Sequence, residues 1–385
     1  MRFSKRFFLS YAIVSHPLLA IIQMILLDYF HISERAGTLF HITSIAILMI
    51  PAIFIAYTLR PSLVIKIYLS VLLLLLINFL IFPKNIPFMI AEAAQFTLPI
   101  VIPCVFCLVC ISDIRIFLQA VYNMSWFFLL LMLFYVYLIL SHKIIAENYS
   151  MYLGYAALLP MLVLYQKKTK LSLLAFSFLF IYIVVWGNRG AAVAGIAYIV
   201  FDIFSQKKKS ITVLVISAFG IVLFKIESFL ELLQKYGIES RSINKIVFGG
   251  FDESEGRERI YSRMIIVLKQ NLEGIGIWGD RTYLDGAWCH NLILEILLDY
   301  GVIIGSGVIL GLVIMIIATF VKCGKDEKKY LLLFFCSSII PLMFSNSYLR
   351  DYKFGIFIGI LCVLYKNKQN IVPNKFYPNL HRLNA

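Results

Sequence analysis

Long apolar runs follow one another along almost the whole chain, separated by short polar connections. An α-helix needs about 20 apolar residues to cross roughly 30 Å of hydrocarbon. The pattern therefore predicts membrane-spanning helices: Tyr11–Phe30, Thr38–Thr58, Ile67–Phe82, Phe88–Cys110, Ile116–Leu140, Met151–Tyr165, Leu171–Trp186, Ala191–Phe204, Ile211–Ile226, Asn291–Phe320, Tyr330–Tyr348 and Phe354–Tyr365. The one long polar stretch, 227–290, falls between the ninth and tenth. The predicted fold is all-α, a polytopic membrane protein of about twelve transmembrane helices with one large external loop between helices 9 and 10. Its parts are 1–226, helices 1 to 9; 227–290, the loop; and 291–385, helices 10 to 12 with a tail.

Composition agrees. The 385 residues are 61% hydrophobic with a mean hydropathy of +0.88, against about half apolar in an ordinary soluble domain. The first apolar run lacks a small-residue cleavage site and is followed at once by a second span, so no cleavable signal peptide is read.

A net charge of +14 could point to nucleic acid, but its placement points to a membrane. Twenty Lys/Arg fall in alternate connections on one side, among them the clusters around Lys167, Lys207 and Lys328. The short connections of the other side carry six: Arg35, Lys84, Lys143, Arg189, Arg350 and Lys353. The positive-inside rule then places both termini in the cytoplasm and the long loop outside. No nucleic-acid partner is expected. The run Cys104, Cys107, Cys110 lies in an apolar helix without a nearby histidine, and Cys289 is the only external cysteine, so neither a metal site nor a disulfide across that face is read.

Chemistry concentrates in Glu255–Gly305. At 100° per residue, Arg257 joins Ile260, Tyr261, Met264 and Leu268 on the apolar face of an amphipathic helix, while Arg259 and Arg263 face the other way. Arg257 is thus the arginine aimed at the protein or membrane. His290 immediately precedes helix 10, whose positive N-terminus favours a neutral imidazole. A neutral imidazole can accept a proton from a hydroxyl; a capping residue is the plainer alternative. Asn291, Glu295 and Asp299 form a polar stripe on that helix, and carboxylates at such depth normally pair with cations. A further cation comes from the turn Gly187–Gly190. Arg189 is 19 residues from Lys170 and 18 from Lys207, about 28 Å along a helix, which sets it at the outer hydrocarbon boundary. Snorkelling from a helix end is its simpler reading.

The order WGNRGA, EGRERIY and CHNLILEILLDYGVIIG, with this topology, resembles the O-antigen ligase/polymerase superfamily over Leu171–Gly305. That resemblance implies a glycosyltransferase of the cytoplasmic (inner) membrane, needing no metal or other cofactor. Its donor and acceptor would be undecaprenyl-diphosphate-linked oligosaccharides, and a chain-length regulator and a flippase would be its partners in the membrane. It implies Arg189 and Arg257 as diphosphate-binding and catalytic residues, and His290 as the group that orients or deprotonates the acceptor. Asn291, Arg281 and Glu295 are expected to line the substrate. Ligases often carry a second histidine two residues before the His-Asn pair, where this chain has Trp288. With the turn SNSYLRDY at Ser345–Tyr352, this favours a Wzy-type polymerase of O-antigen or capsule over a ligase joining O-antigen to lipid A core. A transporter or flippase fits less well: internal two-half symmetry is not evident, and the polar residues gather at one surface.

Overall fold

The computed structural model describes residues 4–144, 150–205, 231, 234, 235 and 253–367. The described residues are helical, with no strand among them. The predicted span Ile211–Ile226 and the loop segment 227–252, apart from 231, 234 and 235, lie outside them.

The helices are α1 (Lys5–Val14), α2 (His16–Asp28), α3 (Glu34–Leu59), α4 (Pro61–Ile81), α5 (Ile86–Glu92), α6 (Ile102–Ile111), α7 (Ile114–Leu140), α8 (Ser150–Lys167), α9 (Lys170–Val185) and α10 (Arg189–Ser205). After them come α11 (Glu253–Gln270), α12 (Gly279–Tyr283), α13 (Leu292–Lys322), α14 (Lys325–Leu342) and α15 (Tyr352–Asn367). A π-helix, Ala93–Val101, joins α5 to α6. Local signals set many starts. Ser33, Asp113 and Asn291 accept backbone N–H bonds at the first turns of α3, α7 and α13, and Thr169 with Ser172 forms a capping box on α9.

Among the described residues, five segments are long and apolar enough to cross a membrane: α3, α4, Pro83–Ile111, α7 and α13, with α1 and α2 a sixth if the bent pair is one span. The most apolar windows of α3, α4 and α13 are only 22%, 17% and 11% buried. Their outward faces carry bare side chains such as Phe54, Leu80 and Ile303, as a lipid-facing helix requires. The core lies where α6 meets α15, α8 meets α9, α1 meets α7, and α10 meets α14. At one end Lys168 Nζ pairs with Asp202 at 2.9 Å and Lys167 lies 4.5 Å from the Tyr122 ring.

Three helices are interrupted. α1 and α2 are bent by 45° at Ser15, just before Pro17, which has no N–H to continue the ladder. The π-helix contains Pro99, and such bulges recur at functional positions. The third break lies within predicted helix 10, which the sequence pattern presents as the span Asn291–Phe320 without an interruption. Gly301 sits at φ 76°, ψ 170° and splits α13. The freed backbone groups are taken up by the preceding loop: Ile275 N–H donates to Leu298 O at 2.7 Å, and Val302 N–H donates to Leu272 O at 2.8 Å. The segment 292–300 is largely buried while 302–322 is mostly exposed. Glu295 and Asp299 therefore sit in a packed layer under the loop, away from the lipid-facing half.

Candidate functional site

Arg281 organises this layer. It is fully buried, and its guanidinium donates to Asp280 at 2.6 Å, Glu295 at 2.9 Å, Ser347 Oγ at 2.9 Å and Glu92 at 3.4 Å through both Nε and Nη2. One cation thus gathers carboxylates from α5, α12 and α13. The network extends outward: Ser347 Oγ donates to Glu295 Oε1 at 2.5 Å, and Tyr348 OH donates to Asp299 Oδ2 at 2.7 Å. Asp280 Oδ2 accepts from the Cys289 N–H at 2.9 Å. The loop backbone is held from below by Asn85, which donates to Ile275 O and Ile277 O, and by Asn78, which accepts from Ile277 N–H. Breaking a buried network of this kind costs about 3–5 kcal/mol because it strands charge. Its function in the fold is to fix the loop before His290 and the turn carrying Arg350.

His290 is half-buried, in the left-handed region at φ 58°. Its ring meets the Trp288 ring edge-on at 5.3 Å, and Tyr261 OH from α11 donates to its carbonyl at 3.3 Å. Its Nδ1 is buried with no hydrogen-bond partner among the described residues. Burial, reinforced by the charge of Arg257, lowers its pKa to about 4. The imidazole is therefore neutral at pH 7, with one ring nitrogen free to accept a proton, though it is a weaker base than an unburied histidine. Cys289 beside it is the opposite case: burial first, then Glu295 and Asp280, push its thiol upward, so no thiolate nucleophile forms.

His290 opens on a cleft of about 210 Å³, also lined by Tyr155, Arg350, Lys353, His16 and His41. The bend at Ser15 and the π-helix both face it, through His16 and through Phe96 and Ile100. The Arg350 guanidinium lies 4.2 Å from the Phe96 ring centre and 4.4 Å from that of Trp288, two cation–π contacts. Lys353 pairs with Asp351 at 3.7 Å and donates to Tyr155 O at 3.4 Å. Tyr155 OH in turn donates to Asn188 Oδ1 at 2.9 Å, which also accepts from the Gly190 N–H at 2.7 Å. Tyr155 thereby ties the cleft to the turn before Arg189.

Of the residues expected from sequence, Arg257 and His290 come together, and the Arg189 turn joins them through Tyr155. Arg257 acts electrostatically on His290, Tyr261 and Tyr155. Helical phase is as read: Met264 is buried on the inner face of α11, while Arg259 and Arg263 are exposed. Arg189 itself is exposed at the start of α10. Three expected substrate-lining residues are occupied otherwise. Arg281 and Glu295 are buried in each other's network, and Asn291 caps α13, accepting from Leu294 N–H at 3.0 Å and donating to Met343 O at 3.4 Å. Sequence reasoning missed Arg350, Tyr155, His16 and His41 as cleft residues. A signal existed for Arg350, one of the few cations on the side where the positive-inside rule disfavours them; His16 and His41 carry none. No protein-family model matches this chain, and no curated protein matches it.

Proposed function

We propose that the chain is a polysaccharide polymerase of the inner membrane, with about twelve spans, both termini cytoplasmic and the cleft on the outer face. It moves a growing glycan from undecaprenyl diphosphate onto another lipid-linked repeat. The observation that carries this reading is a neutral, half-buried His290 beside Arg257, at the mouth of a cleft linked to the Arg189 turn. In the reaction, an acceptor hydroxyl attacks the anomeric carbon of the donor sugar. Its proton passes to His290 as the new C–O bond forms. The C–O bond to the diphosphate breaks, its electron pair leaves with the diphosphate, and the configuration inverts. Arg189 and Arg257 would hold that anion, since guanidinium groups suit a developing phosphate charge.

His290→Ala removes a general base and is expected to lower chain extension by about 10²–10⁴-fold. Arg189→Ala and Arg257→Ala are expected to block it comparably, with the protein still in the membrane. Wild-type product length in all three variants would discard the assignment. A ligase uses the same chemistry on another acceptor, and deletion separates the two. Loss of a polymerase leaves single repeats on the final acceptor; loss of a ligase leaves long chains on undecaprenyl diphosphate.

A further inference from the structure

The diphosphate arginines do not line the cleft, yet the cleft has a cation of its own. The Arg350 guanidinium has no hydrogen-bond or ion-pair partner among the described residues, and the rings of Phe96 and Trp288 lie 4.2 and 4.4 Å from its central carbon. Its fork of N–H donors is left for a ligand. Lys353 adds no net charge, because Asp351 balances it at 3.7 Å. The cleft therefore offers one uncompensated positive charge, which suits a monoanion better than a diphosphate. A planar carboxylate fits that fork through two parallel hydrogen bonds.

The remaining lining suits a sugar ring. Trp288, Phe96 and Tyr152 supply aromatic surfaces. His16 Nε2 and His41 Nδ1 are buried without partners among the described residues, and imidazole nitrogens bond readily to hydroxyls. His16 is only 5% exposed, so its polar atom gains a partner when the cleft is filled. At about 210 Å³ the space falls below the roughly 300–1,000 Å³ of pockets for drug-sized ligands. That is room on the scale of one monosaccharide unit.

We propose that this cleft is the acceptor-sugar subsite and that Arg350 selects an acidic sugar there, gripping its carboxylate while the hydroxyl to be glycosylated faces His290. This rests on the polymerase reading for the word acceptor. The test does not, since it measures binding alone and the deletion phenotype judges the polymerase separately.

The experiment is equilibrium binding to the full-length protein in detergent, followed by tryptophan emission, with methyl β-glucuronide, methyl β-glucoside and inorganic pyrophosphate as probes. The glucuronide is expected to bind roughly ten-fold or more tightly than the glucoside, the worth of one charged hydrogen-bonded pair, and pyrophosphate is expected not to displace it. In Arg350→Gln the ratio should fall to about one, with glucoside affinity retained as the internal check that the cleft is intact. If Arg350→Gln loses both sugars, Arg350→Lys decides. It keeps the charge, so a surviving preference for the glucuronide supports the proposal and its absence overturns it. Equal binding of the two sugars by the wild type, or no binding of either, overturns it. So does displacement of the glucuronide by pyrophosphate, which would make the cleft a phosphate site.

Discussion

The neutrality of His290 has two causes, its burial and the charge of Arg257, and the two can be separated. Its value of about 4 against the ordinary 6.5 means that the unfolded chain binds more protons than the native one between these limits. The native state therefore loses stability as pH falls through 6.5 towards 4, and the cost is absent above that window. In the proposed reaction activity follows the neutral form, so the acid limb of kcat/KM should lie near 4. Arg257→Gln removes a cation that opposes protonation, so the limb should move upward, yet stay below 6.5 because burial remains. The measurement is a pH profile on a lipid-linked donor; an unmoved limb, or one displaced downward, would separate Arg257 from His290. This pairing was legible because helical phase put Arg257 on the inner face of α11 and His290 immediately precedes the cap of α13. Arg350 was not legible as a cleft residue, because its environment is made by Phe96 and Trp288 from distant parts of the chain. Arg281 was misassigned for the same reason: nothing in its neighbourhood announces Glu92, 189 residues away.

Among the elements, α13 tests how far local geometry supports the site. Gly301 occupies a φ/ψ region that is essentially reserved for glycine, and a Cβ there would run into the Glu273 carbonyl. Gly301→Ala should therefore cost at least about 1–3 kcal/mol and disturb the hold of the 271–277 loop on the start of α13. Gly311, on the same helix, has open space around its Cβ position, and Gly311→Ala is the control. Thermal unfolding in detergent should show Gly301→Ala well below wild type and Gly311→Ala beside it; equal behaviour would mean that the break is not needed. Sequence reading missed the break because Gly301 sits inside the apolar run LLDYGVIIG, and hydropathy averages over a residue that spanning helices tolerate. The π-helix was hidden in the same way, within a run that has the length of a plain span.

For the whole molecule, apolar run length made the helical class readable, whereas the capping layer depends on tertiary contacts that no run length encodes. Asn85, Glu92, Asp280, Arg281 and Ser347 meet at one end of the helices, and the pairs Lys168–Asp202 and Lys167–Tyr122 mark a different set of connections. Charge distribution assigns the first set to the outside under the proposed topology, and chemistry on a lipid diphosphate outside the cytoplasm depends on that assignment. Asp285 and Lys325 are both exposed, one beside each set. The native cysteines within the described residues are buried, except for the partly buried Cys362, so a new thiol at either position can be followed in a Cys362→Ser background. In spheroplasts, a membrane-impermeant maleimide should modify Asp285→Cys at once and Lys325→Cys only after permeabilisation. Labelling in the reverse order, or of both before permeabilisation, would put the cleft on the wrong side of the membrane for the proposed reaction.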